Sequence, residues 1–382
     1  MANDFKIKNG LQLGGAFVEK VGTISGNADV DLSTGNVFDY TPTADATFVF
    51  SNAGETEHSF VLSVVGANVD QGYDLANASY DSVSFSVAAQ ESQPNGISFK
   101  PDGTKMYITG YAGDDVNEYN LSTAWDISTA SYLQNFSVAA QEGFPYGLFF
   151  KPDGTKMYIT GEAGNDVNEY SLGTAWDVST ASYVQNFSVS AQITGTSGVF
   201  FKPDGSVMYV VGFANLDTVN QYSLSTAWDI STASYVQNFN VGTQENTPQG
   251  LFFKPDGLSM YVTGSSGDDV NEYNLSTAWD ISTASFLQTF SVAAQDTFPT
   301  EAFFKTDGAK MYVLGAGTGT VYQYSTIAAT TAPATFTYPA SVAWPSGTAP
   351  DAPAVGETDI LEFSTTDGGT TWYGVRTGDA MA

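Results

Sequence analysis

Ten loop residues in the middle of the chain have side chains of the types that bind polar ligands. Five are aromatic and five are acidic: Tyr111, Phe144, Tyr146, Phe213, Phe298, Glu91, Glu142, Glu162, Glu245 and Asp296. Exposed aromatic rings beside carboxylates that accept hydrogen bonds suit the binding of a sugar or of a protein surface. We therefore predict a receptor-binding or ligand-binding face, although loops that vary without functional constraint would give the same pattern.

The carboxylates among these residues could also act as the acid and base of a glycosidase, in which two carboxyl groups flank the cleaved bond. None of them differs from its counterparts in neighbouring repeats in a way that marks a catalytic role. The chain has one histidine and no cysteine, and it lacks a Ser-His-Asp set, an HExxH helix and a phosphate-binding glycine loop. We predict that the protein is not an enzyme and has no catalytic residue; a polysaccharide-degrading enzyme is the alternative.

Acidic and amide residues also cluster in loops such as GDDVN, which contains Asp114, Asp115 and Asn117. These side chains offer the oxygen ligands that calcium prefers, but calcium needs about six to eight of them to converge. Hairpin turns use the same residue types to bind backbone groups. We predict no metal site and no cofactor, with calcium binding as the alternative.

One position within each repeat alternates between an acid and an amide. It holds Glu118, Glu169, Gln221, Glu272 and Gln323. Because Glu and Gln both form hydrogen bonds and differ mainly in charge, the alternation indicates that the position needs a hydrogen-bonding side chain more than a charge. We do not expect catalysis there.

All these residues lie in a unit of about 51 residues that recurs along the chain. The string FKPDG marks it at Phe99, Phe150, Phe201 and Phe253, and FKTDG marks it at Phe304. Runs such as SVSFSV, ISFK, KMYITG and VNEYNL predict four strands in a unit, and the Pro-Asp-Gly turn makes two of them antiparallel. Four antiparallel strands per unit are typical of a propeller blade.

The strands also predict how the repeats close into a ring. Each strand type occurs five times, but the strand at 80–87 comes before the first complete set and no copy of it follows the last. This opening strand can supply the outer strand of the last blade, so that no edge stays unpaired. We predict an all-β protein with a closed five-bladed β-propeller at residues 79–327; an open solenoid is the alternative.

The two ends of the predicted ring differ in how much their sequences vary. The FKPDG turns and the STAWDIST loops, which contain Trp125 and its equivalents, change little between repeats and fall at one end. We expect these tryptophans to pack as apolar plugs. The loops that carry the ten candidate residues fall at the opposite end and differ from repeat to repeat, so this end is where we expect function.

The overall charge restricts the partners. Lys and Arg number 12 against 41 Asp and Glu, which gives a formal net charge of -29. Such a surface repels phosphate backbones and anionic lipids, so we expect no nucleic-acid partner. No apolar run reaches the length of a membrane helix and the first residues lack the apolar core of a secretory signal, so we expect no membrane insertion and no export by that route.

Residues outside the propeller predict a second domain that is split between the two ends of the chain. Strand-like runs occur at 29–69 and again at 335–374, and each part is short for a core of its own. A ring returns its ends to one place, so it can be inserted into a loop of another domain. We predict an attachment segment at 1–28, the first half of a β-sandwich at 29–78, the propeller, and a linker with the second half at 328–382.

The flanking sequences resemble those of a known group of proteins. The strings FKIKNGLQLG, DVDLSTGNVFDYTPTADATFVFSNA and PASVAWPSGTAPDAPAVGETDILEFSTTDGG are similar to modules in virion structural proteins of tailed bacteriophages, particularly marine and cyanobacterial ones. The resemblance implies a tail fibre, spike or head fibre that is located in the virion and forms a homo-oligomer, a trimer. It also implies that the flanks bind other virion proteins and that the propeller attaches to a glycan or protein of the host surface; capsid decoration is the alternative.

Overall fold

A computed structural model describes residues 24–25, 29–33, 36–40, 46–53, 58–65, 72–214, 217–326, 335–345, 347–353 and 357–381. The chain divides into two compact units. One consists of Met1–Asp70 together with Ala329–Ala382 and is called the terminal unit, and the other, Gln71–Ala328, is the propeller unit. The predicted attachment segment at 1–28 lies outside the described residues except for 24–25.

The described residues form strands joined by turns and by short 3-10 helices. The N-terminal flank contains Ile24–Ser25 (β1), Asp29–Asp31 (β2), Val37–Tyr40 (β3), Ala46–Thr47 (β4), Val49–Ser51 (β5) and His58–Val65 (β6). The propeller unit contains Ser79–Ser86 (β7), Pro94–Phe99 (β8), Lys105–Gly110 (β9), Asp115–Leu121 (β10), Ala130–Ser137 (β11), Pro145–Phe150 (β12), Lys156–Gly161 (β13), Asp166–Leu172 (β14), Ala181–Ser188 (β15), Thr194–Phe201 (β16), Val207–Ala214 (β17), Thr218–Leu224 (β18), Ala233–Asn240 (β19), Pro248–Phe253 (β20), Ser259–Gly264 (β21), Asp269–Leu275 (β22), Ala284–Ser291 (β23), Pro299–Phe304 (β24), Lys310–Gly315 (β25) and Thr320–Ser325 (β26). The C-terminal flank contains Phe336–Thr337 (β27), Val342–Ala343 (β28), Thr358–Thr365 (β29) and Trp372–Met381 (β30).

The helical turns are Leu75–Asn77, Ile127–Thr129, Val178–Thr180, Ile230–Thr232 and Ile281–Thr283. Each has an aspartate N-cap whose side chain accepts a backbone N–H of the turn, as Asp126 does from Ser128. None of the helices in the described ranges has the length and hydropathy needed to cross a bilayer.

The propeller unit has five four-stranded sheets, which confirms the predicted fold. In the first blade the order is β11-β10-β9-β8, with β8 innermost, and every adjacent pair is antiparallel. Contacts between the inner strands run from β8 to β12, β16, β20 and β24 and back to β8, so the ring is closed. Residues of the inner strands are mostly buried, because each blade packs between two others.

The last sheet joins the two ends of the propeller unit. Its order is β24-β25-β26-β7, so the first strand of the unit is the outer strand of the fifth blade, as predicted. The pairing runs antiparallel from Ser325 opposite Ser79 to Thr320 opposite Ser86. Closure of the ring therefore depends on noncovalent pairing between two strands that are about 230 residues apart in the chain.

The Pro-Asp-Gly turns and the tryptophan loops lie together at one end of the ring. In the first blade Gly103 has φ +72°, and a Cβ there would lie 2.3 Å from the Trp125 ring. The Trp125 ring also stacks on Phe99 at 5.5 Å between ring centroids, and its carbonyl accepts the Tyr312 hydroxyl of the adjacent blade at 2.6 Å. The prediction of an apolar plug is confirmed, and the plug also links neighbouring blades.

Tyr73 takes the place of the tryptophan for the fifth blade. Its ring lies against Gly308, its backbone has φ +73°, and its carbonyl accepts the Tyr261 hydroxyl at 2.7 Å. Residues 72–78 are thus the fifth copy of the loop that contains Trp125. They were predicted in the first half of the sandwich, whereas the structure groups them with the propeller unit.

Both flanks contribute to a single sheet in the terminal unit. The order is β28-β30-β29-β6-β3, in which β29 of the C-terminal flank pairs along its whole length with β6 of the N-terminal flank. Phe50 of the smaller sheet β1-β2-β5 packs on Phe60 and Phe363 of this sheet, with 4.9 Å between ring centroids in both cases. The two layers enclose one aromatic core, which neither flank forms alone.

An ion pair lies between the inner and outer parts of the first blade. Lys105 pairs with Glu118, whose side chain is fully buried, and donates at 3.0 Å to the carbonyl of Trp176 in the next blade. Gln134 donates to Glu118 at 2.9 Å and to Asp177 at 2.8 Å. The second blade repeats the pair with Lys156 and Glu169 at 2.6 Å.

The other three blades replace this ion pair in different ways. The third has Val207 and Gln221, so neither charge is present. The fifth keeps Lys310 and has Gln323, and the carboxylate comes instead from Asp81 on the outer strand, 2.6 Å from the lysine. The fourth has Ser259 where the first has Lys105, and Glu272 accepts hydrogen bonds from Tyr261 at 3.3 Å and from Gln288 at 2.7 Å. All five side chains keep a hydrogen bond to the outer strand, whereas three of them carry a charge and two of those pair with a lysine, which fits the predicted need for a hydrogen-bonding side chain more than a charge.

Candidate ligand-binding face

The variable loops lie together at the end of the ring opposite the tryptophans. In the first blade, residues 111–114 join β9 to β10, and residues 138–144 join β11 to the next inner strand, β12. We call the end formed by these loops and their equivalents the variable face, and the end formed by the Pro-Asp-Gly turns and tryptophan loops the constant face. The predicted separation of the two ends is confirmed by the strand order.

Four of the five predicted aromatic residues form a continuous row on the variable face. Ring centroids are 6.0 Å apart for Tyr111 and Phe144, 6.5 Å for Tyr111 and Tyr146, and 6.1 Å for Tyr146 and Phe213. Phe144 is 51% exposed, so part of the row is open to solvent. Such rings offer flat apolar surface to a ligand.

A cavity of about 380 Å³ opens beside this row. Its lining residues come from the first, second and fifth blades: Gln93, Asn95, Tyr111, Tyr146, Phe298, Ala316 and Gly317. Asn95 and Tyr146 belong to inner strands, so the cavity is at the mouth of the central channel. It combines three of the predicted aromatic residues with two amide side chains, which were not among the predicted site residues.

Four of the five predicted acids are not available to a ligand. Glu91, Glu142, Glu245 and Asp296 are at most 3% exposed, so their prediction as receptor-binding residues is wrong. The Glu142 carboxylate accepts the backbone N–H groups of Phe144 at 2.9 Å, Ala163 at 3.1 Å and Gly164 at 3.2 Å. The other three carboxylates accept equivalent N–H groups in their own blades.

Each of these acids therefore ties together the two variable loops of one blade. The N–H groups that it accepts would otherwise be left without partners near the end of the ring. The third blade has buried Ile193 at the equivalent position. The repeated acid holds the two variable loops of its blade in place. The aromatic residues on those loops differ from blade to blade.

Glu162 is the predicted acid that remains exposed. Its backbone N–H donates to the Phe144 carbonyl at 3.2 Å. Burial, with smaller effects from the Glu162 charge and from Tyr111, raises the pKa of Tyr146 to about 12. An exposed carboxylate is thus placed beside the aromatic row. The hydroxyl of Tyr111 donates to Gln93 at 2.6 Å, which orients this amide at the rim of the cavity.

Glu301 is a channel residue that the sequence analysis did not identify. It lies on β24 where the inner strands of the other blades have Gly96, Gly147, Gly198 and Gly250. A Cβ on Gly250 would lie 2.6 Å from the Thr300 carbonyl oxygen, so the strands approach closely at this level. The Glu301 carboxylate accepts the backbone N–H of Leu251 at 3.2 Å, and burial raises its pKa well above the usual range. The signal in the sequence was the single break in a repeated glycine.

Phenylalanines from four inner strands lie together farther along the channel. The ring centroids of Phe149 and Phe200 are 5.2 Å apart, those of Phe200 and Phe252 5.4 Å, and those of Phe252 and Phe303 5.6 Å. The first blade has Ser98 at this position. These rings lie close to the constant face, so the polar mouth of the channel leads to an aromatic floor.

The described residues contain no group of three or more His, Cys, Asp or Glu side chains that could hold a metal ion. In the loop GDDVN, Asp115 accepts a hydrogen bond from Asn117 at 2.5 Å and another from Asn135. The Asp115 carboxylate therefore serves the structure of the blade.

No family model and no curated protein matches the chain. Solved structures do. The crystal structure of a putative 6-phosphogluconolactonase from Bacteroides uniformis is 18% identical, with a TM-score of 0.37, and the match covers 52% of this chain and 55% of that one. The periplasmic gluconolactonase of Pseudomonas aeruginosa is 16% identical with a TM-score of 0.36, covering 52% and 54%.

A luciferin-regenerating enzyme also matches, at 14% identity and a TM-score of 0.41, over 64% of this chain and 95% of that one. The chain thus spans about half the length of the lactonase-like structures. At these identities the likeness concerns the propeller fold alone. The proteins are nevertheless named as enzymes, so the prediction that this protein is not an enzyme, which rested on missing motifs, is corrected.

Proposed function

We propose that the protein is a virion structural protein of a tailed bacteriophage whose variable face binds a glycan on the host cell surface. The proposal rests first on the cavity at the channel mouth, where Tyr111, Tyr146 and Phe298 gather beside the exposed amide of Gln93. Aromatic faces cover the apolar faces of sugar rings, and amides satisfy their hydroxyl groups. The second support is the resemblance of the flanking sequences.

The terminal unit is the proposed attachment to the particle. Both flanks enter one five-stranded sheet, so the propeller is held at both of its ends. A groove of about 490 Å³ on this unit is lined in part by Trp344 and Tyr373, and Tyr373 is 57% exposed. Exposed aromatic residues of this kind are common where proteins associate. Binding to other virion proteins and assembly as a trimer belong to the same proposal.

Replacement of Phe298 or Tyr146 by Ala should weaken retention on host cells by about tenfold or more, because each removes an aromatic surface at the cavity. Phe298 is 43% exposed, and Phe286 on an outer strand is 44% exposed, so Phe286→Ala is a matched control that should bind as the native protein does. The measurement is the amount of labelled full-length protein retained by bacteria at a series of concentrations.

Capsid decoration would give a different result in the same assay. A protein that only stabilises a shell is not retained by cells at all, and the three alanine variants then cannot be distinguished. Retention that is reduced equally by Phe286→Ala and Phe298→Ala would contradict the placement of the site on the variable face.

A further inference from the structure

The propeller unit has its positive charges at one end only. Residues 72–326 contain eight basic side chains, all of them lysines: Lys100, Lys105, Lys151, Lys156, Lys202, Lys254, Lys305 and Lys310. Five directly precede the four Pro-Asp-Gly turns and the Thr-Asp-Gly turn of the fifth blade, and each pairs with the aspartate of its turn at 2.6 to 3.1 Å. The other three begin β9, β13 and β25 directly after those turns. Every one of them is therefore at or next to the constant face.

The variable face, within the ranges the structure describes, has no basic side chain. An exposed charge next to the aromatic row is that of Glu162, whose backbone N–H donates to the Phe144 carbonyl at 3.2 Å. The cavity itself is lined by amides, aromatic rings, Ala316 and Gly317. Anionic groups are normally held by Arg, Lys or a helix N-terminus, and none of these lines this cavity.

The field of the whole chain acts in the same direction. With a net charge of -29, the protein repels anions at long range, and this repulsion is not offset by lysines at the channel mouth. A protonated amine, in contrast, is attracted both by a carboxylate and by the face of a tyrosine ring. A neutral sugar is not affected by the field and gains the contacts of the cavity alone.

We infer that the channel mouth receives an uncharged or amine-bearing sugar and rejects anionic ones such as uronic, sialic, sulfated or phosphorylated residues. Tyr111, Tyr146 and Phe298 contact the ring faces, the exposed amide of Gln93 contacts the hydroxyl groups, and Glu162 attracts the amine. The inference rests on the proposed glycan binding and adds the class of glycan.

The test uses cell-surface polysaccharide from bacteria that retain the full-length protein, separated by ion exchange into neutral, cationic and anionic fractions. We expect binding to the neutral or the cationic fraction and at least tenfold weaker binding to the anionic one. Glu162→Lys should weaken binding to a cationic fraction about fivefold, the effect of one partly exposed charge pair. Asp39→Lys makes the same charge change at an exposed site in the terminal unit, outside the groove lined by Trp344 and Tyr373, and should have no effect.

The outcomes separate this inference from the proposed function. Retention by cells with binding confined to the anionic fraction would overturn the inference and leave the attachment function in place. Retention by cells with no binding to any polysaccharide fraction would overturn it too, since the receptor is then not a sugar. Absence of retention by any cells would count against attachment itself.

Discussion

Glu118→Gln should lower the free energy of unfolding by about 2 to 4 kcal/mol at pH 7, because it leaves Lys105 in the blade without its carboxylate. The lysine side chain is only 24% exposed, and the Glu118 side chain is fully buried. Gln134 and the Val178 N–H also donate to Glu118, so the amide nitrogen that replaces one oxygen faces donors. Chemical denaturation of the native protein and the variant measures the difference.

The third blade provides the rescue for this variant. It has Val207 and Gln221 where the first blade has Lys105 and Glu118, and Gln221 accepts the Gln237 amide at 2.9 Å. The double variant Lys105→Val, Glu118→Gln recreates this arrangement and should recover most of the lost stability. A double variant that is as unstable as the two single losses added together would show that the pair is not coupled.

Glu272 is the control without a lysine. Burial raises its pKa, with nearby Asp74 adding to the effect and hydrogen bonds from Gln288 and Tyr261 opposing it. A raised folded pKa means that the group stabilises the fold below its unfolded pKa of about 4.3 and loses this contribution as the pH rises through the folded pKa. Glu272→Gln should therefore cost little at pH 7, and its stability relative to the native protein should increase between acid and neutral pH.

Asp81→Asn is the second large effect, and it should loosen the closure of the ring. Asp81 accepts hydrogen bonds from Lys310 at 2.6 Å, Gln323 at 2.9 Å and Ser325 at 2.7 Å. The variant leaves Lys310 without a charge partner in the blade whose outer strand, β7, is not joined to the adjacent strand β26 by a loop. We therefore expect the free energy of unfolding to fall by about 2 to 3 kcal/mol. Hydrogen exchange should become faster in 79–86 than in the equivalent outer strand 130–137.

The pH dependence distinguishes this loss from a general defect. Burial alone would raise the pKa of Asp81, but the hydrogen bonds from Lys310, Gln323 and Ser325 outweigh it and hold the pKa below its usual value. The stabilisation is present above the unfolded pKa of about 3.9 and is lost as the pH falls through the folded pKa. The native protein and Asp81→Asn should therefore become alike in acid. A difference that persists there, or exchange that rises equally in all outer strands, would contradict the account.

Asp81 also shows how the closing strand differs from the other outer strands. In the first blade one residue, Leu133, is left unpaired between the partners of Glu118 and Tyr119. In the closing pair two residues, Asp81 and Ser82, lie between Tyr80 and Val83, and Ser82 has φ +61°. The extra residue brings the carboxylate to Lys310. An outer strand like those of the other blades would place a glutamine near Lys310 and leave this lysine without a charge partner.

The repeat made the propeller predictable from the sequence. The FKPDG turn fixes where two strands reverse, and the count of strand types fixes the closure, so local signals determined the architecture. The start of the unit was harder to place, because Tyr73 replaces the tryptophan and the loop at 72–78 keeps only part of the repeated sequence. Its role depends on a contact with Gly308, far away in the chain.

The candidate site was predictable only in part. The aromatic residues were identified because they vary between otherwise constant repeats, and Tyr111, Tyr146 and Phe298 do meet at one cavity. The acids were misjudged, since a carboxylate that accepts backbone N–H groups cannot be told from an exposed one by its type alone. Acids equivalent to Glu91 and Glu142 occur in four blades, and this recurrence indicated a structural role.

The measurement that tests the central claim most directly is hydrogen exchange of the full-length protein with and without the polysaccharide fraction that it binds. We predict slower exchange at 91–95, 111–114, 142–146 and 315–318, the segments around the cavity, with no change in the Pro-Asp-Gly turns. Slower exchange confined to those turns, or to the terminal unit, would contradict a binding site on the variable face.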